Sequence, residues 1–176
     1  GEYTGELVDG VRQGYGVFKF SNYDIYDGDW EAGKMHGKGI YKFYDPIKDK
    51  YASKYEGDFS NGQREGKGKM TYANHDVYVG AWQNNQRTGN GICWFGSGDV
   101  FQGIWKFNQM VRGVFRKANG EVYDGEIKNG KYNGYGKLFR SNSKWFEGIF
   151  VDGKPYNGML FTVDGKISEY KDGEQI

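Results

Sequence analysis

Nucleophilic or metal-assisted catalysis in this chain would have to draw on two histidines and one cysteine. A catalytic cysteine needs a neighbouring base, and a zinc site needs several nitrogen or sulfur ligands. His36 and His75 lie in stretches whose residues are typical of turns, and neither is close to Cys93 in the sequence pattern. We therefore predict no catalytic residue, no metal site and no cofactor, and we interpret Cys93 as a core residue.

Asp27, Asp29 and Glu31 would present three carboxylates on one face of a strand, where weak cation binding is conceivable. Their spacing differs from that of a calcium-binding loop, which favours a solvated polar face. Gly37 and Gly39 superficially resemble a phosphate-binding loop, but such a loop precedes a helix, and a strand pattern follows here.

The composition excludes several classes of protein. Among 176 residues there are 30 glycines and only 2 prolines, 18% of residues are aromatic, and the formal net charge is +1. Collagen, disordered chains and strongly basic nucleic-acid binders all differ from this composition. One cysteine excludes a disulfide framework and favours a reducing, cytoplasmic location. Because the sequence begins at Gly1 without a methionine, we expect a longer parent protein.

A repeating pattern of aromatic residues and glycines covers nearly the whole chain. Its clearest copy reads Tyr26-x-Gly28-x-Trp30-x-x-Gly33-x-x-x-Gly37-x-Gly39. Seven copies open with an aromatic residue, at positions 3, 26, 55, 78, 101, 123 and 146. The period is therefore close to 23 residues, with one longer gap of 29. A period held over seven copies indicates a repeat protein.

This motif resembles the MORN repeat (membrane occupation and recognition nexus). The resemblance implies β-hairpins laid side by side along the chain. It also implies a scaffold or docking module in cytoskeletal, ciliary or membrane-associated assemblies. Some members of the family are fused to kinases or methyltransferases, and some have been proposed to bind phosphoinositides.

Alternation within each copy points to the same fold. Tyr26 and Trp30 share one face of an extended segment, and Asp27 and Asp29 share the other. We predict an all-β fold, a single elongated, twisted antiparallel sheet of tandem β-hairpins with fourteen strands. We expect one domain over residues 1–176, with a degraded repeat over 165–176 as its cap.

The glycines in mid-strand need a reason, because glycine weakens a strand by roughly 0.5–1 kcal/mol. We interpret them as seats for aromatic rings of neighbouring strands. A turn centred between Lys34 and Met35 would place Trp30 opposite Gly39 and give each such glycine a ring as its direct partner.

The longer gap between copies lies within residues 44–54. Pro46 cannot donate a hydrogen bond to a strand ladder, so we predict a protruding loop there. Two interpretations stay open, a contact for a specific partner and an insertion without function. Copies five and seven are one residue shorter before their paired glycines, so we expect different turns in them.

A single-layer sheet leaves its aromatic face uncovered, and we expect a groove there that binds a helix or extended segment of a partner protein, or a second copy of the chain. No nucleic-acid partner is expected. Among the groove residues we select Trp82 and Trp105 as the central anchors. The candidate groove residues are Phe18, Phe20, Tyr26, Trp30, Tyr41, Phe43, Phe59, Tyr72, Tyr78, Trp82, Phe101 and Trp105.

Two alternatives remain beside this leading hypothesis of a non-catalytic scaffold. One is a module for phosphoinositides or anionic membranes, and the other is a docking domain of a larger enzyme. We expect a cytoplasmic protein at the cytoskeleton, at a cilium or flagellum, or at the inner face of a membrane. The candidate lipid contacts, drawn from a locally basic stretch, are Arg112, Arg116, Lys117, Lys131, Lys137, Arg140 and Lys144.

Overall fold

The computed structural model describes residues 1–176 and is all-β. Its strands are antiparallel and are paired in chain order. The chain divides into two compact units, Gly1–Thr88 and Gly89–Ile176, and the division falls within the eighth strand. The strands are β1 (Glu2–Val8), β2 (Val11–Lys19), β3 (Ile25–Glu31), β4 (Lys34–Asp45), β5 (Lys50–Ser60), β6 (Gln63–Thr71), β7 (Val77–Gln83), β8 (Gln86–Trp94), β9 (Val100–Lys106), β10 (Gln109–Arg116), β11 (Val122–Lys128), β12 (Lys131–Phe139), β13 (Trp145–Val151), β14 (Lys154–Phe161), β15 (Ile167–Lys171) and β16 (Glu174–Gln175).

The prediction of tandem antiparallel hairpins is confirmed, with two strands more than the fourteen expected. The additional pair is β15 and β16, which form within the predicted cap. We call the face that carries Tyr26 and Trp30 the inner face, and the face that carries Asp27 the outer face.

Two-residue turns with positive φ close the hairpins. In the second repeat Glu31 pairs with Lys34, and the residues between them, Ala32 and Gly33, have φ values of 47° and 79°. Two successive residues in this conformation form a type I′ turn, whose twist matches that of the flanking strands. The predicted turn between Lys34 and Met35 was therefore wrong.

The predicted pairing of glycines with rings was also wrong, because Gly28 pairs with Gly16 on one side and with Gly39 on the other. The ring of Tyr26 crosses this glycine pair diagonally. A Cβ added to Gly39 would lie 2.4 Å from Cε2 of Tyr26, and a Cβ added to Gly28 would lie 2.5 Å from the Cα of Gly39. The glycines do seat the rings, but as pairs that leave a gap for a ring from two residues away.

A bulge explains why five of the seven repeats open with tyrosine. Between Gly28 and Trp30 the register shifts by two residues, which frees backbone groups from the ladder. The Tyr26 hydroxyl donates to the carbonyl oxygen of Asp29 at 2.8 Å, and the Asp29 carboxylate accepts from the Lys38 amide at 2.9 Å. Asp29 therefore caps the bulge. This gives a structural role to one of the three carboxylates Asp27, Asp29 and Glu31.

The two short repeats open with phenylalanine, and they have a smaller bulge. Their hairpins, β9–β10 and β13–β14, shift the register by one residue instead of two. Phe101 and Phe146 have no hydroxyl to donate, whereas the tyrosines of the longer repeats all donate to the carbonyl three residues ahead. The different turns expected for repeats five and seven are thus different bulges, since the turns themselves still have two residues.

Removing one of these hydroxyls should destabilise the fold. Tyr55→Phe leaves the Asp58 carbonyl, which accepts at 2.8 Å, without its donor, and we expect a loss of about 1–3 kcal/mol in the free energy of unfolding. Urea unfolding monitored by circular dichroism measures the loss. Tyr51→Phe is the matched control, because the Tyr51 side chain is exposed and its hydroxyl makes only a long bond. Equal losses in the two variants would contradict the role assigned to Tyr55.

The core is a column of rings packed edge to face. Tyr26 lies 5.1 Å from Trp30 and 5.0 Å from Phe59, and Tyr55 lies 5.1 Å from Phe59 and 5.3 Å from Trp82. Their planes are inclined at between 78° and 87°, the arrangement that aromatic quadrupoles favour. Each ring thus contacts its own repeat and a neighbouring one, and this interlocking holds consecutive hairpins together.

The insertion extends a hairpin, so the loop predicted over residues 44–54 was wrong for most of its length. β4 continues to Asp45 and β5 begins at Lys50, with Tyr44 paired to Tyr51. Only residues 46–49 lie in the turn, which is where Pro46, lacking an amide hydrogen, does not break the ladder.

Candidate functional site

The twelve candidate groove residues divide by burial into two sets. Seven are buried: Tyr26, Trp30, Phe59, Tyr78, Trp82, Phe101 and Trp105. The other five are half-buried and all belong to the unit Gly1–Thr88. We call these five the aromatic shelf: Phe18, Phe20, Tyr41, Phe43 and Tyr72.

Trp82 and Trp105, selected from the sequence as anchors, are core residues that are each 3% exposed. Their indole N–H groups donate to the carbonyl oxygens of Gly68 at 3.1 Å and Gly91 at 3.2 Å. Both tryptophans are therefore committed to contacts within the sheet, and the candidates that retain exposed surface are the five rings of the aromatic shelf.

Four of the shelf rings, which lie on β2, directly after β2 and on β4, contact one another in succession. Ring centroids of Phe18 and Phe20 are 4.6 Å apart, those of Phe20 and Tyr41 are 5.5 Å apart, and those of Tyr41 and Phe43 are 4.7 Å apart. Four rings in sequence thus form one apolar surface, and Tyr72, directly after β6, adds a fifth half-buried ring.

A buried carboxylate fixes the orientation of Tyr41, one of the shelf rings. The Tyr41 hydroxyl donates to Asp24 at 2.9 Å, and the other carboxylate oxygen of Asp24 accepts from the Tyr44 amide at 2.8 Å. Burial, followed by this hydrogen bond, raises the pKa of Tyr41, so the phenol stays neutral and remains a donor. Tyr41 is therefore held in one position instead of turning freely at the surface.

Three arginines on the inner face were missed by the sequence analysis. Arg12, Arg64 and Arg87 occupy the same position of their repeats, two residues after the turn. The guanidinium carbon lies 4.4 Å from the Trp30 ring centroid for Arg12 and 4.7 Å from the Trp82 centroid for Arg64. Arg12 alternates with Gly14 and Gly16 along its strand, and this alternation could have placed the Arg12 side chain on the inner face.

Arg12 and Arg64 also border the shelf itself. Arg12 lies 4.7 Å from the Phe18 ring, and Arg64 lies 5.9 Å from the Phe43 ring. Beside Arg64 is a cavity of about 220 Å³, which is lined by Met35, Tyr41, Phe43, Phe59, Gly62, Arg64 and Asn85. The shelf therefore combines aromatic surface with positive charge.

The seven candidate lipid contacts are all exposed, and they lie at separate places. Arg112, Arg116 and Lys137 alternate onto the outer face of β10 and β12, and Lys137 pairs with Glu147 at 3.3 Å. Lys131 follows a turn, while Lys117, Arg140 and Lys144 lie in connections between hairpins. Arg140 is exposed in one of these connections and lines a cavity together with Leu138 and Phe146.

The remaining reactive residues lie apart from each other. Cys93 is buried, as predicted, and His75 is exposed in a connection. His36 is 3.1 Å from Glu31. No group of three or more histidine, cysteine or carboxylate side chains is arranged to hold a metal ion. A helix with the length and apolar character needed to cross a membrane is also absent.

The family model described as the MORN repeat matches six segments, residues 3–25, 26–45, 55–77, 78–100, 101–122 and 123–144. MORN repeat-containing protein 3 of Xenopus laevis is 36% identical over 55 residues. That alignment covers 31% of this chain and 23% of the frog protein, so the similarity spans less than a quarter of that relative. The seventh copy, from residue 146, lies outside the matched segments but folds as the hairpin β13–β14.

Two solved structures share the fold. The SAS-4 (dCPAP) TCP domain of Drosophila melanogaster, in complex with a proline-rich motif of Ana2 (dSTIL), superimposes with a TM-score of 0.52 at 11% identity, covering 90% of this chain and 84% of that one. The G-box domain of the microcephaly protein CPAP gives a TM-score of 0.52 at 13% identity, covering 92% and 84%. At these identities the likeness concerns the fold alone.

Proposed function

We propose that this chain, which belongs to the MORN repeat family, is a non-catalytic scaffold that binds a segment of a partner protein on the aromatic shelf. The observation that carries the proposal is the half-burial of five rings, four of them in successive contact, on a sheet face that no second layer of the unit Gly1–Thr88 covers. We place the scaffold in the cytoplasm, at the cytoskeleton, at a cilium or at the inner face of a membrane.

The energetics support a binding surface of this kind. A ring buries 150–250 Å² when fully covered, and apolar burial contributes about 25 cal/mol per Å². Covering the exposed half of several rings would offset much of the cost of association, which is several kcal/mol. The Drosophila TCP domain provides a precedent at the level of fold, because a sheet of this type binds a proline-rich motif there.

Removing one shelf ring should weaken capture of the partner without unfolding the sheet. Phe43→Ala removes a half-buried ring beside the cavity, and we expect at least about a tenfold loss of affinity for captured proteins. Affinity capture from the native cell, with quantitative mass spectrometry, measures the loss.

The control for this prediction is Trp94→Ala, which removes a larger ring that is 43% exposed on the outer face. It should leave capture unchanged. If Phe43→Ala retains every protein that the wild type captures, binding does not take place on the shelf.

Association with an anionic membrane is the second candidate, favoured by the seven exposed basic residues. Its test is flotation with vesicles that contain phosphoinositides, at low and at high salt. Salt-sensitive flotation would support it, and flotation with none of these vesicles would remove it.

A further inference from the structure

We propose that the segment bound on the aromatic shelf is acidic, and that it places one carboxylate against Arg12 and another against Arg64. This inference rests on the proposed function, since it specifies the partner of the same surface. It concerns a protein segment with apolar residues between two carboxylates.

Charges in the unit Gly1–Thr88 are divided between the two faces. On the outer face, cations and carboxylates pair with each other, as Lys38 does with Asp58 and Lys54 does with Glu56. On the inner face, the guanidinium groups of Arg12 and Arg64 lie against aromatic rings and neither is in an ion pair. Two outer-face lysines therefore have carboxylate partners, whereas the two inner-face arginines have none.

The hydrogen-bond acceptors of the Arg64 guanidinium at Asn85 carry no negative charge. Its Nη2 donates to the carbonyl oxygen of Asn85 at 3.0 Å and its Nε donates to the Asn85 side chain at 3.3 Å, so both acceptors are neutral. Burial lowers the pKa of the Arg64 guanidinium, and the positive charge of Arg87 lowers it further. A carboxylate at this position would supply the missing counter-charge through a charge-assisted hydrogen bond.

Asp24, the carboxylate near the shelf, cannot supply this counter-charge. Asp24 already accepts hydrogen bonds from the Asn22 side chain, the Tyr41 hydroxyl and the Tyr44 amide, and it makes no ion pair with either arginine. The counter-charge must therefore come from outside this unit's shelf, and the cavity beside Arg64 provides about 220 Å³ for a side chain that brings it.

The repeat sets the spacing of the two carboxylates. Arg12 is on β2 and Arg64 is on β6, four strand spacings away, which is about 19 Å at ~4.8 Å per spacing. An extended segment that crosses these strands rises about 3.3 Å per residue, so about six residues separate the two arginines. Apolar residues between the carboxylates would then lie on the ring surface from Phe18 to Phe43.

A peptide array on the full chain tests the inference. The probes are peptides of about ten residues that carry two glutamates about six positions apart, with intervening residues drawn from proline, leucine and phenylalanine. Matched peptides carry two glutamines or two lysines instead. We expect the best glutamate peptides to bind at least about tenfold more tightly than their glutamine partners, and this preference should fall as salt rises.

Variants then assign the preference to the two arginines. Arg64→Gln and Arg12→Gln should each reduce the preference for glutamate over glutamine, whereas Lys69→Gln, an exposed change on β6, should retain it. Arg64→Lys keeps the charge and should retain part of the preference, which controls for a loss of folding in Arg64→Gln. The salt dependence of the wild type needs no variant and provides an independent measurement.

Other outcomes overturn the inference in distinguishable ways. Equal binding of glutamate and glutamine peptides, lost in Phe43→Ala, overturns the acidic preference and leaves the proposed function intact. Glutamate binding that is insensitive to Phe43→Ala and to both arginine changes overturns both proposals. Failure of all glutamate peptides, with binding of phosphatidylserine vesicles that depends on Arg64, assigns the arginines to a membrane instead.

Discussion

Alanine in place of Gly57 is expected to unfold the unit Gly1–Thr88, or to leave it barely stable. A Cβ at this position would lie 2.4 Å from the Cα of Gly68 and 2.4 Å from the carbonyl oxygen of Lys67. Both atoms belong to the backbone of the paired strand, so relief of the clash requires separation of the ladder itself. We expect a loss of about 4 kcal/mol or more in the free energy of unfolding, measured by urea denaturation.

Gly62→Asn is the matched control for this change. Gly62 lies in a hairpin turn at φ 84°, and an added Cβ there would meet no atom within 4 Å. The equivalent position in the next repeat is Asn85, at φ 65°, so the fold already accepts asparagine in this conformation. The control should change stability by no more than about 1 kcal/mol. If Gly57→Ala is as stable as this control, the paired glycines are not required by packing.

Trp82→Ala is expected to give the second large loss, about 3–5 kcal/mol. The change removes a ring that is 3% exposed and that contacts Tyr55 and Tyr78 edge to face at 5.3 Å each. It also leaves the Gly68 carbonyl without the indole donor. Urea unfolding measures the loss, and the exposed Trp94→Ala is the control for the removal of a tryptophan.

This result would separate two roles for Trp82. If Trp82 were the binding anchor selected from the sequence, its removal would abolish partner capture and leave the circular dichroism sheet-like. The packing of Trp82 predicts instead that the fold is lost first. A variant as stable as Trp94→Ala that no longer captures the partner would restore Trp82 as a binding anchor.

The fold class could be predicted because alternation of rings and glycines has a direct physical meaning in a strand. The register of strand pairing could not be predicted, since both Gly33 and Gly37 are typical of turn residues. In the structure Gly33, at φ 79°, belongs to the turn, and Gly37, at φ 61°, belongs to the bulge. Two glycines four residues apart do not reveal which of them closes the hairpin, and that choice moves every cross-strand pair.

The sequence could predict which face of the sheet carries the candidate site. It could not predict which residues on that face are exposed. Alternation places Trp82 and Phe43 on the same face, yet one is buried under neighbouring repeats and the other is half-exposed. Burial depends on how hairpins interlock, which periodicity does not specify. Arg64 was missed because a charged residue beside a turn is usually solvated, whereas Arg64 pairs with Phe59 and its side chain lies over the Trp82 ring.

The lengthened hairpin of β4 and β5 has a practical use. Its additional pairs lie beyond Phe43, while Gly39 and Gly57 still pair as their counterparts do in other repeats. Foreign sequence at this tip should therefore be accommodated without disturbing the rest of the protein. Ile47, which is 94% exposed, marks a site where an epitope or a fluorescent label could be grafted to follow the molecule in living cells.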